Sequence, residues 1–201
     1  MKIIGITGPT GAGKSSLADH MRSRGIPVID ADRLYHSLLT PPSPCLDALR
    51  HAFGDGIFTE GGELDRKKLA DIVFNDEKKL ELLNSTVLSI VLDESRRILK
   101  EYESKGEKYA AIDAPTLIES GFHTECDLVV SVICDTDVRI ERIISRDGID
   151  RASAEARVHA QKPNGFYTEN SHTVICNDAD DESFLKKCKA FVDGLFCEVT
   201  P

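Results

Sequence analysis

A glycine-rich segment near the start of this 201-residue chain constrains its fold more than any other feature. Residues 8–13, "GPTGAG", follow the β-branched run "KIIGIT" and precede "KSSLADHMRSRG". In the later run Leu17 and Met21 lie one helical turn apart, and Gly25 closes the pattern as a C-terminal cap. Glycines here let main-chain N–H groups turn inward and approach a ligand without an intervening Cβ. The segment therefore predicts a buried strand, a tight loop and a helix.

The spacing Gly8-x-x-x-x-Gly13-Lys14-Ser15 is that of a phosphate-binding loop. The helix N-terminus adds partial positive charge at the same place. We predict that Lys14 contacts the β- and γ-phosphates as a catalytic residue and that the Ser15 hydroxyl binds Mg²⁺. The predicted residues of this nucleoside triphosphate site are Gly8, Pro9, Thr10, Gly11, Ala12, Gly13, Lys14, Ser15 and Ser16.

Alternating apolar and helical segments indicate an α/β protein with a three-layer P-loop NTPase fold and a five-stranded parallel sheet. The predicted strands are 2–7, 27–30, 109–113, 128–133 and 172–175. One domain is expected, with its core at about 1–30, 109–134 and 172–201. A helical insertion at about 31–108, with patterns at 65–73, 76–83 and 84–103, is predicted to bind the phosphate acceptor. A helical lid at about 135–171 is predicted to contain two helices. This layout is typical of small-molecule kinases, in which a lid excludes water from the transfer.

Composition excludes several classes of protein. The net charge of −9 argues against a nucleic-acid partner. A membrane span would need a run of about 18 apolar residues, and the chain has none. We expect a cytoplasmic protein without a membrane partner. A GTPase would be expected to show a guanine-specifying Asn-Lys-x-Asp motif. Segment 175–181, "ICNDADD", lacks the lysine of this motif, which argues against a GTPase. Scattered cysteines predict reduced thiols rather than disulfides or a zinc site: Cys45, Cys126, Cys134, Cys176, Cys188 and Cys197.

Three aspartates follow predicted strands, at the edge where ligands bind in α/β sheets. Asp32 is the predicted general base, because phosphoryl transfer to an alcohol needs a carboxylate near the acceptor oxygen. Asp30 is equally compatible with a functional role and with solvation or helix capping at the strand end. Asp113 is predicted to bind Mg²⁺, directly or through water, next to the substrate.

Three arginines lie within eight residues of an otherwise acidic chain, at Arg139, Arg142 and Arg146. Arg142 and Arg146 are spaced i and i+4 and share a helix face. We predict that both stabilise the transferring phosphoryl group, although a solvated basic face would give the same pattern. Arg66 and Arg157 are further candidates for a functional role, but their positions in the sequence alone do not indicate one.

Taken together, these segments resemble the dephospho-coenzyme A kinase family over nearly the whole chain. The resemblance is carried by "GITGPTGAGKSS", "GIPVIDADRLYH", "LDRKKLADIVFNDEKKLELLN", "APTLIESGFHTECDLVVSVICDTDVRIERIISRDG", "ARVHAQKP" and "VICND". It implies phosphorylation of the ribose 3′-hydroxyl of dephospho-coenzyme A by ATP, with Asp32 as the base. It also implies that Arg66 contacts the acceptor, that Arg142 and Arg146 contact the triphosphate, and that adenine lies near Asn177.

Two departures from the family pattern keep alternatives open. Leu88-Ser89 stands where the family usually has His-Pro, and Pro115-Thr116-Leu117 stands where Pro-Leu-Leu is usual. The first favours considering a kinase with another acceptor, such as a nucleoside monophosphate or a small metabolite. A nucleotide-binding regulator with little catalysis is a third hypothesis, against which Asp32 and the arginines argue. The expected partners are small-molecule substrates, and the expected assembly is a monomer or a small homo-oligomer.

Overall fold

The computed structural model describes residues 1–74, 76–178 and 180–197, and for Cys197 only the main chain. The last residues of the predicted core, 198–201, and the predicted thiol of Cys197 lie outside this description. The chain forms two compact units. One consists of residues 1–29 together with 102–201, and the other of residues 30–101.

A five-stranded sheet organises the first unit. Its strands are β1 (Lys2–Thr7), β2 (Val28–Asp30), β3 (Tyr109–Asp113), β4 (Leu128–Ile133) and β5 (Thr173–Cys176), in the order β2-β3-β1-β4-β5. Strand β1 lies in the middle and pairs in parallel with β3 and β4, and β4 pairs in parallel with β5. The predicted fold class, a three-layer parallel α/β fold with five strands, is confirmed.

Helices in the described residues follow the strands. They are α1 (Lys14–Ser23), α2 (Ala31–Ser37), α3 (Pro44–Phe53), α4 (Arg66–Val73), α5 (Glu77–Ser104), α6 (Thr136–Asp147), α7 (Arg151–His159), α8 (Asn164–Glu169) and α9 (Asp181–Cys197). Helices α1 and α9 bury Leu17, Met21 and Val192 against Ile4 and Val130 of the sheet. This packing holds the loop between β1 and α1 on a rigid core, because interiors are close-packed and yield little.

Helices α2 to α4 and most of α5 form the second unit. Two aspartates and one serine cap its short helices by accepting main-chain N–H bonds, as N-cap residues do: Asp30 for α2, Ser43 for α3 and Asp65 for α4. The unit has its own apolar core, consisting of Cys45, Leu46, Leu49, Ile57, Phe58, Leu69 and Val73.

Two helix predictions differ from the structure. The separate patterns at 76–83 and 84–103 form the single helix α5, because no glycine or proline interrupts them. The region 135–171 contains three helices rather than two. The additional helix, α8, starts after Pro163 and has only six residues. Its sequence "NGFYTE" has little helix propensity, and burial of Tyr167, 2% exposed, accounts for its formation.

Candidate active site

The glycine loop between β1 and α1 adopts a conformation that only glycine tolerates. Gly8 has a φ of 132°, and a Cβ there would lie 2.0 Å from the carbonyl oxygen of Val132. Gly13 has a φ of 105°, and its Cβ would lie 2.5 Å from the Asn177 side-chain nitrogen. L-residues with side chains rarely adopt such φ values, and no side chain fits the space. The spacing of the two glycines is therefore a requirement of the fold.

Lys14 and Ser15 begin helix α1, directly after this loop. The Lys14 ammonium donates hydrogen bonds to the carbonyl oxygens of Gly8, at 2.7 Å, and Pro9, at 3.2 Å. The positive charge of Lys14 therefore lies against the loop. Gly13 caps the helix without a side-chain hydrogen bond, so no side chain competes for the first-turn N–H groups. Ser15 is exposed at the same place. This arrangement has the free N–H groups and the positive charge that an anion-binding site needs.

Asn177 and Arg142 support the loop from behind. Asn177, 3% exposed, donates to the carbonyl oxygen of Ala12 at 2.8 Å and accepts from Arg142 at 3.2 Å. Arg142 also approaches the carbonyl oxygen of Gly11, at 3.5 Å, and the sulfur of Cys134, at 3.3 Å. Burial raises the pKa of the Cys134 thiol, and the Arg142 charge opposes this shift. Arg142 is therefore a loop contact, and the Asn177 side chain is bonded to the loop rather than exposed.

Arg139 and Gln161 hold the Thr10 peptide from both sides. The Arg139 guanidinium donates to the Thr10 carbonyl oxygen at 2.9 Å and to the Gln161 side-chain oxygen at 2.8 Å. The same Gln161 oxygen accepts from the Thr10 N–H at 3.0 Å. Sequence reasoning missed Gln161 and left Arg139 undecided. The segment "ARVHAQKP" was the available signal, but nothing in it indicates a contact with residue 10.

Arg146 does not share the surroundings of Arg142, although one helical turn separates them. Its side chain is 59% exposed and pairs with the Asp147 carboxylate at 2.7 Å. Asp147 also pairs with Arg157. The hydrogen bond from Arg146, together with the nearby positive charges, lowers the pKa of Asp147. The structure therefore separates the two predicted lid arginines into one that contacts the loop and one in a surface ion pair.

Asp113 ends β3 and lies opposite Ile6 in the sheet register, next to the end of β1. Carboxylate and hydroxyl oxygens are the ligands that Mg²⁺ prefers, usually with phosphate oxygens and water completing the shell. Asp113 and Ser15 are thus a donor set of the right kind. Within residues 1–74, 76–178 and 180–197, no group of three or more His, Cys, Asp or Glu side chains could hold a metal. The donors present suit a metal held jointly with a nucleotide.

The unit 30–101 contains the predicted acceptor residues. Asp30 accepts from the Arg33 N–H at 2.9 Å and caps α2, which is the capping alternative of the sequence analysis. Asp32 is exposed in the first turn of that helix. Arg66 starts α4 and, with Tyr35, lines a largely apolar cavity of about 230 Å³. Burial raises the pKa of Tyr35, and the Arg66 charge opposes this shift. The cavity thus combines apolar walls with one cation.

A glycine loop of this geometry on the central parallel strand, followed by Lys14 and Ser15 at a helix N-terminus, defines a phosphate-loop nucleotide-binding protein. The family model described as dephospho-CoA kinase matches residues 2–182. A dephospho-CoA kinase of Corynebacterium glutamicum is 35% identical over 196 residues, covering 98% of each chain. The chain belongs to the dephospho-CoA kinase family and is a kinase, as the sequence motifs predicted.

Two solved structures are similar in fold. TT1252 from Thermus thermophilus superimposes with a TM-score of 0.77 and 30% identity, covering 100% of this chain and 98% of the other. Dephospho-CoA kinase from Campylobacter jejuni gives a TM-score of 0.71 at 20% identity, covering 97% and 98%. Among the residues that the structure describes, no helix has the length and apolar character that a membrane crossing requires.

Proposed function

We propose that this protein transfers the terminal phosphoryl group of ATP to the 3′-hydroxyl of dephospho-coenzyme A, giving coenzyme A and ADP. This is the final step of coenzyme A biosynthesis. The observation that carries the proposal is the family match over residues 2–182, which includes the whole phosphate loop. The geometry of the phosphate loop and the cavity beside Arg66 support the same function on physical grounds. A kinase for another acceptor is not favoured, because the relatives from Corynebacterium glutamicum, Carboxydothermus hydrogenoformans and Fusobacterium nucleatum, each at least 34% identical, are all described as dephospho-CoA kinases.

In this proposal the loop of residues 8–13 binds the phosphates through main-chain N–H groups. Lys14 moves its ammonium from the loop carbonyls to the β- and γ-phosphates, where it neutralises charge that develops during transfer. Ser15 and Ser16 add hydroxyl and N–H groups at the helix N-terminus. The chain's acidic balance does not oppose this, because Lys14, Arg139 and Arg142 bring positive charge to the loop itself.

Ser15 and Asp113 would hold Mg²⁺, the first directly and the second directly or through water. The metal would supply charge neutralisation on the β- and γ-phosphate oxygens. Asp113 would also orient the nucleotide next to the loop. We propose no further protein ligand.

Asp32 is proposed as the general base. Its exposed carboxylate at the N-terminus of α2 is accessible to a hydroxyl, whereas the carboxylate of Asp30 is engaged as the helix cap. Asp32 would accept a hydrogen bond from the 3′-hydroxyl, orient it for in-line attack and take its proton.

Arg66 is proposed to contact the acceptor. Dephospho-coenzyme A has both anionic phosphates and an uncharged arm, so a site for it needs a cation next to apolar surface. Arg66 is the guanidinium that lines the 230 Å³ cavity, and Leu69 and Phe74 are among the apolar walls. This combination supports the proposed acceptor contact.

Arg142 and Arg146 are proposed to contact the triphosphate during transfer. Arg142 needs little displacement for this, because it already lies against the loop. Arg146 would have to exchange Asp147 for a phosphate oxygen. The adenine is proposed to lie at the segment around Asn177, whose side chain stays bonded to the loop. We place the activity in the cytoplasm, where the five described thiols would remain free.

Turnover measured with ATP and dephospho-coenzyme A tests the function. We expect ADP formation to depend on dephospho-coenzyme A, with one coenzyme A formed per ADP, and to stop when Mg²⁺ is chelated. Nucleoside monophosphates serve as competing acceptors and are compared by kcat/KM. ADP formation that does not respond to dephospho-coenzyme A would remove the assignment.

The two neighbouring aspartates provide a matched pair of variants for the proposed base. Asp32→Asn should lower kcat about 10²–10⁴-fold with little change in KM, because it removes a general base. Asp30→Asn keeps the helix cap, since asparagine caps as well as aspartate, and should leave kcat near that of the wild type. If the larger loss occurred at Asp30, the roles of the two carboxylates would be reversed.

A further inference from the structure

Arg139 is a buried cation directly behind the phosphate loop. Arg139 is 3% exposed, and both hydrogen bonds that its side chain makes within the described residues, to Thr10 and Gln161, end on neutral oxygens. Its main chain also supports the loop, since a Cβ on Gly11 would lie 3.0 Å from the Arg139 carbonyl oxygen. The guanidinium and the loop therefore form one packed unit.

No carboxylate neutralises this charge in the part of the chain that the structure describes. Burying a charge is costly, and buried arginines normally have an acidic partner. This chain contains 34 acidic residues and a single glutamine, and that glutamine is the side chain placed against Arg139. Burial lowers the pKa of Arg139. An arginine guanidinium is nevertheless too basic to lose its proton in a protein. The site thus keeps an uncompensated positive charge at a structural cost.

We propose that Arg139 is a positioning residue for the triphosphate, supplying positive charge behind the loop, and that Gln161 orients Arg139 and Thr10 without neutralising that charge. The inference rests on the proposed function, in which the loop holds the phosphates of ATP. Charge in a poorly solvated site acts strongly on a nearby anion. A neutral acceptor at residue 161 keeps the hydrogen bonds and preserves the field.

A Gln161→Glu variant separates the hydrogen bonds accepted by residue 161 from the positive charge of Arg139. A glutamate has nearly the same shape and can accept from both Arg139 and the Thr10 N–H. The amide nitrogen it would lose makes no hydrogen bond within the described residues. However, the new carboxylate would pair with Arg139 and cancel its charge. The geometry should remain while the field is lost.

Titration calorimetry with MgATP, MgADP and AMP measures the effect. We expect Gln161→Glu to weaken ATP binding about tenfold, with a smaller loss for ADP and the smallest for AMP, and without a lower Tm. Ala190→Glu, an exposed substitution on α9, adds the same charge at a residue outside the proposed nucleotide contacts and should bind all three nucleotides like the wild type. Gln161→Met removes the acceptor but leaves Arg139 uncompensated. It should lower the Tm while keeping the wild-type preference for ATP over AMP.

Equal nucleotide affinities in Gln161→Glu and the wild type would overturn the inference and leave the proposed function intact. The same holds if all three nucleotides lost affinity equally together with a fall in Tm, since that would show a purely structural role. A well-folded wild-type protein that did not bind MgATP would remove the proposed function itself, and this inference with it.

Discussion

The phosphate loop and the helical unit 30–101 differ in how their polar groups are satisfied. Around the loop, main-chain groups of Thr10, Gly11 and Ala12 are bonded to buried or half-buried side chains. In the helical unit, Asp32 is exposed, and Phe74 at the cavity is 78% exposed. The loop is held by contacts from distant parts of the chain, whereas the proposed acceptor residues are held mainly by local helix caps.

This difference shows where preorganisation is needed. A loop that stabilises developing charge must not reorganise during the reaction, because reorganisation removes the electrostatic benefit. Residues that bind the acceptor can interact equally strongly with the ground state and the transition state, and they therefore need less preorganisation. We therefore expect substitutions in the loop to affect the chemical step and the fold, and those in the helical unit to have smaller effects, the proposed base excepted.

Apart from the proposed base, replacing the loop lysine should have the largest effect. Lys14→Met keeps most of the side-chain volume and removes the ammonium, so kcat should fall about 10²–10³-fold, as for the loss of one main oxyanion-stabilising group. Steady-state kinetics with saturating dephospho-coenzyme A measures the change. Lys100→Met, an exposed lysine on α5, is the control and should retain wild-type kcat. Equal kcat values for both variants would contradict the charge-neutralising role of Lys14.

Two glycines with positive φ test the comparison through stability. Gly8 lies in the loop, where a Cβ would meet the Val132 carbonyl, and Gly62 lies in the helical unit with φ 80° and no atom within 4 Å of a Cβ. Gly62→Ala should lower the free energy of unfolding by about 1 kcal/mol, from backbone strain alone. Gly8→Ala adds the clash and should cost about 3 kcal/mol. Urea denaturation measures both, and similar losses would show that the loop is no more rigid than the Gly62 turn.

The lid arginines refine the comparison within one helix. Arg142→Ala should lower both the Tm and kcat/KM, because the side chain bonds Asn177 and lies against Gly11. Arg146→Ala should lower kcat about 10²-fold if it contacts the transferring group, yet leave the Tm unchanged. The ion pair with Asp147 is exposed, and such pairs add little stability. Thermal denaturation with parallel kinetics separates the two, and a clear fall in Tm for Arg146→Ala would contradict its assignment as a surface pair.

Local patterns were sufficient to predict the sheet and the phosphate loop. Five apolar runs and one glycine spacing each occupy fewer than fifteen residues, and their interpretation needs only strand, loop and helix chemistry. Asp30 shows the limit of this reasoning, because its side chain was equally consistent with capping and with function. The structure resolves its local contact, a cap on α2.

Contacts between distant residues could not be predicted in the same way. Gln161 binds a peptide 151 residues earlier, and no periodicity encodes that distance. Helical spacing placed Arg142 and Arg146 on one face but could not show that this face is covered at Arg142 and exposed at Arg146. In the sequence Arg139 was a third basic residue of the helix, and its burial and its hydrogen bond to the Thr10 carbonyl oxygen show that it supports the loop. The functional roles of all these residues remain predictions.

Buried thiols give the smallest predicted effect and occur in both regions. Burial, with added repulsion from Glu125 and Asp127, raises the pKa of Cys126 in the sheet unit to about 12 from 9.0. Burial also raises the pKa of Cys45 in the helical unit. A thiol whose pKa is higher in the folded than in the unfolded protein contributes its full stability below pH 9. As the pH rises further the unfolded state ionises first, so that the free energy of unfolding should fall.

Urea denaturation between about pH 8 and pH 10.5 measures this fall, and Cys126→Ala identifies its source. The variant is less stable at every pH, because it leaves a cavity, but its stability should decrease less steeply, by about 1 kcal/mol over this range. Cys45→Ala applies the same test to the helical unit, where we also expect a shallower decrease. A Cys126→Ala curve parallel to that of the wild type would mean that the buried thiol ionises equally in both states. The unit that contains the sheet would then be more open to water around β4 than its packing indicates. The contrast between the rigid support of the phosphate loop and the helical unit would weaken at that point.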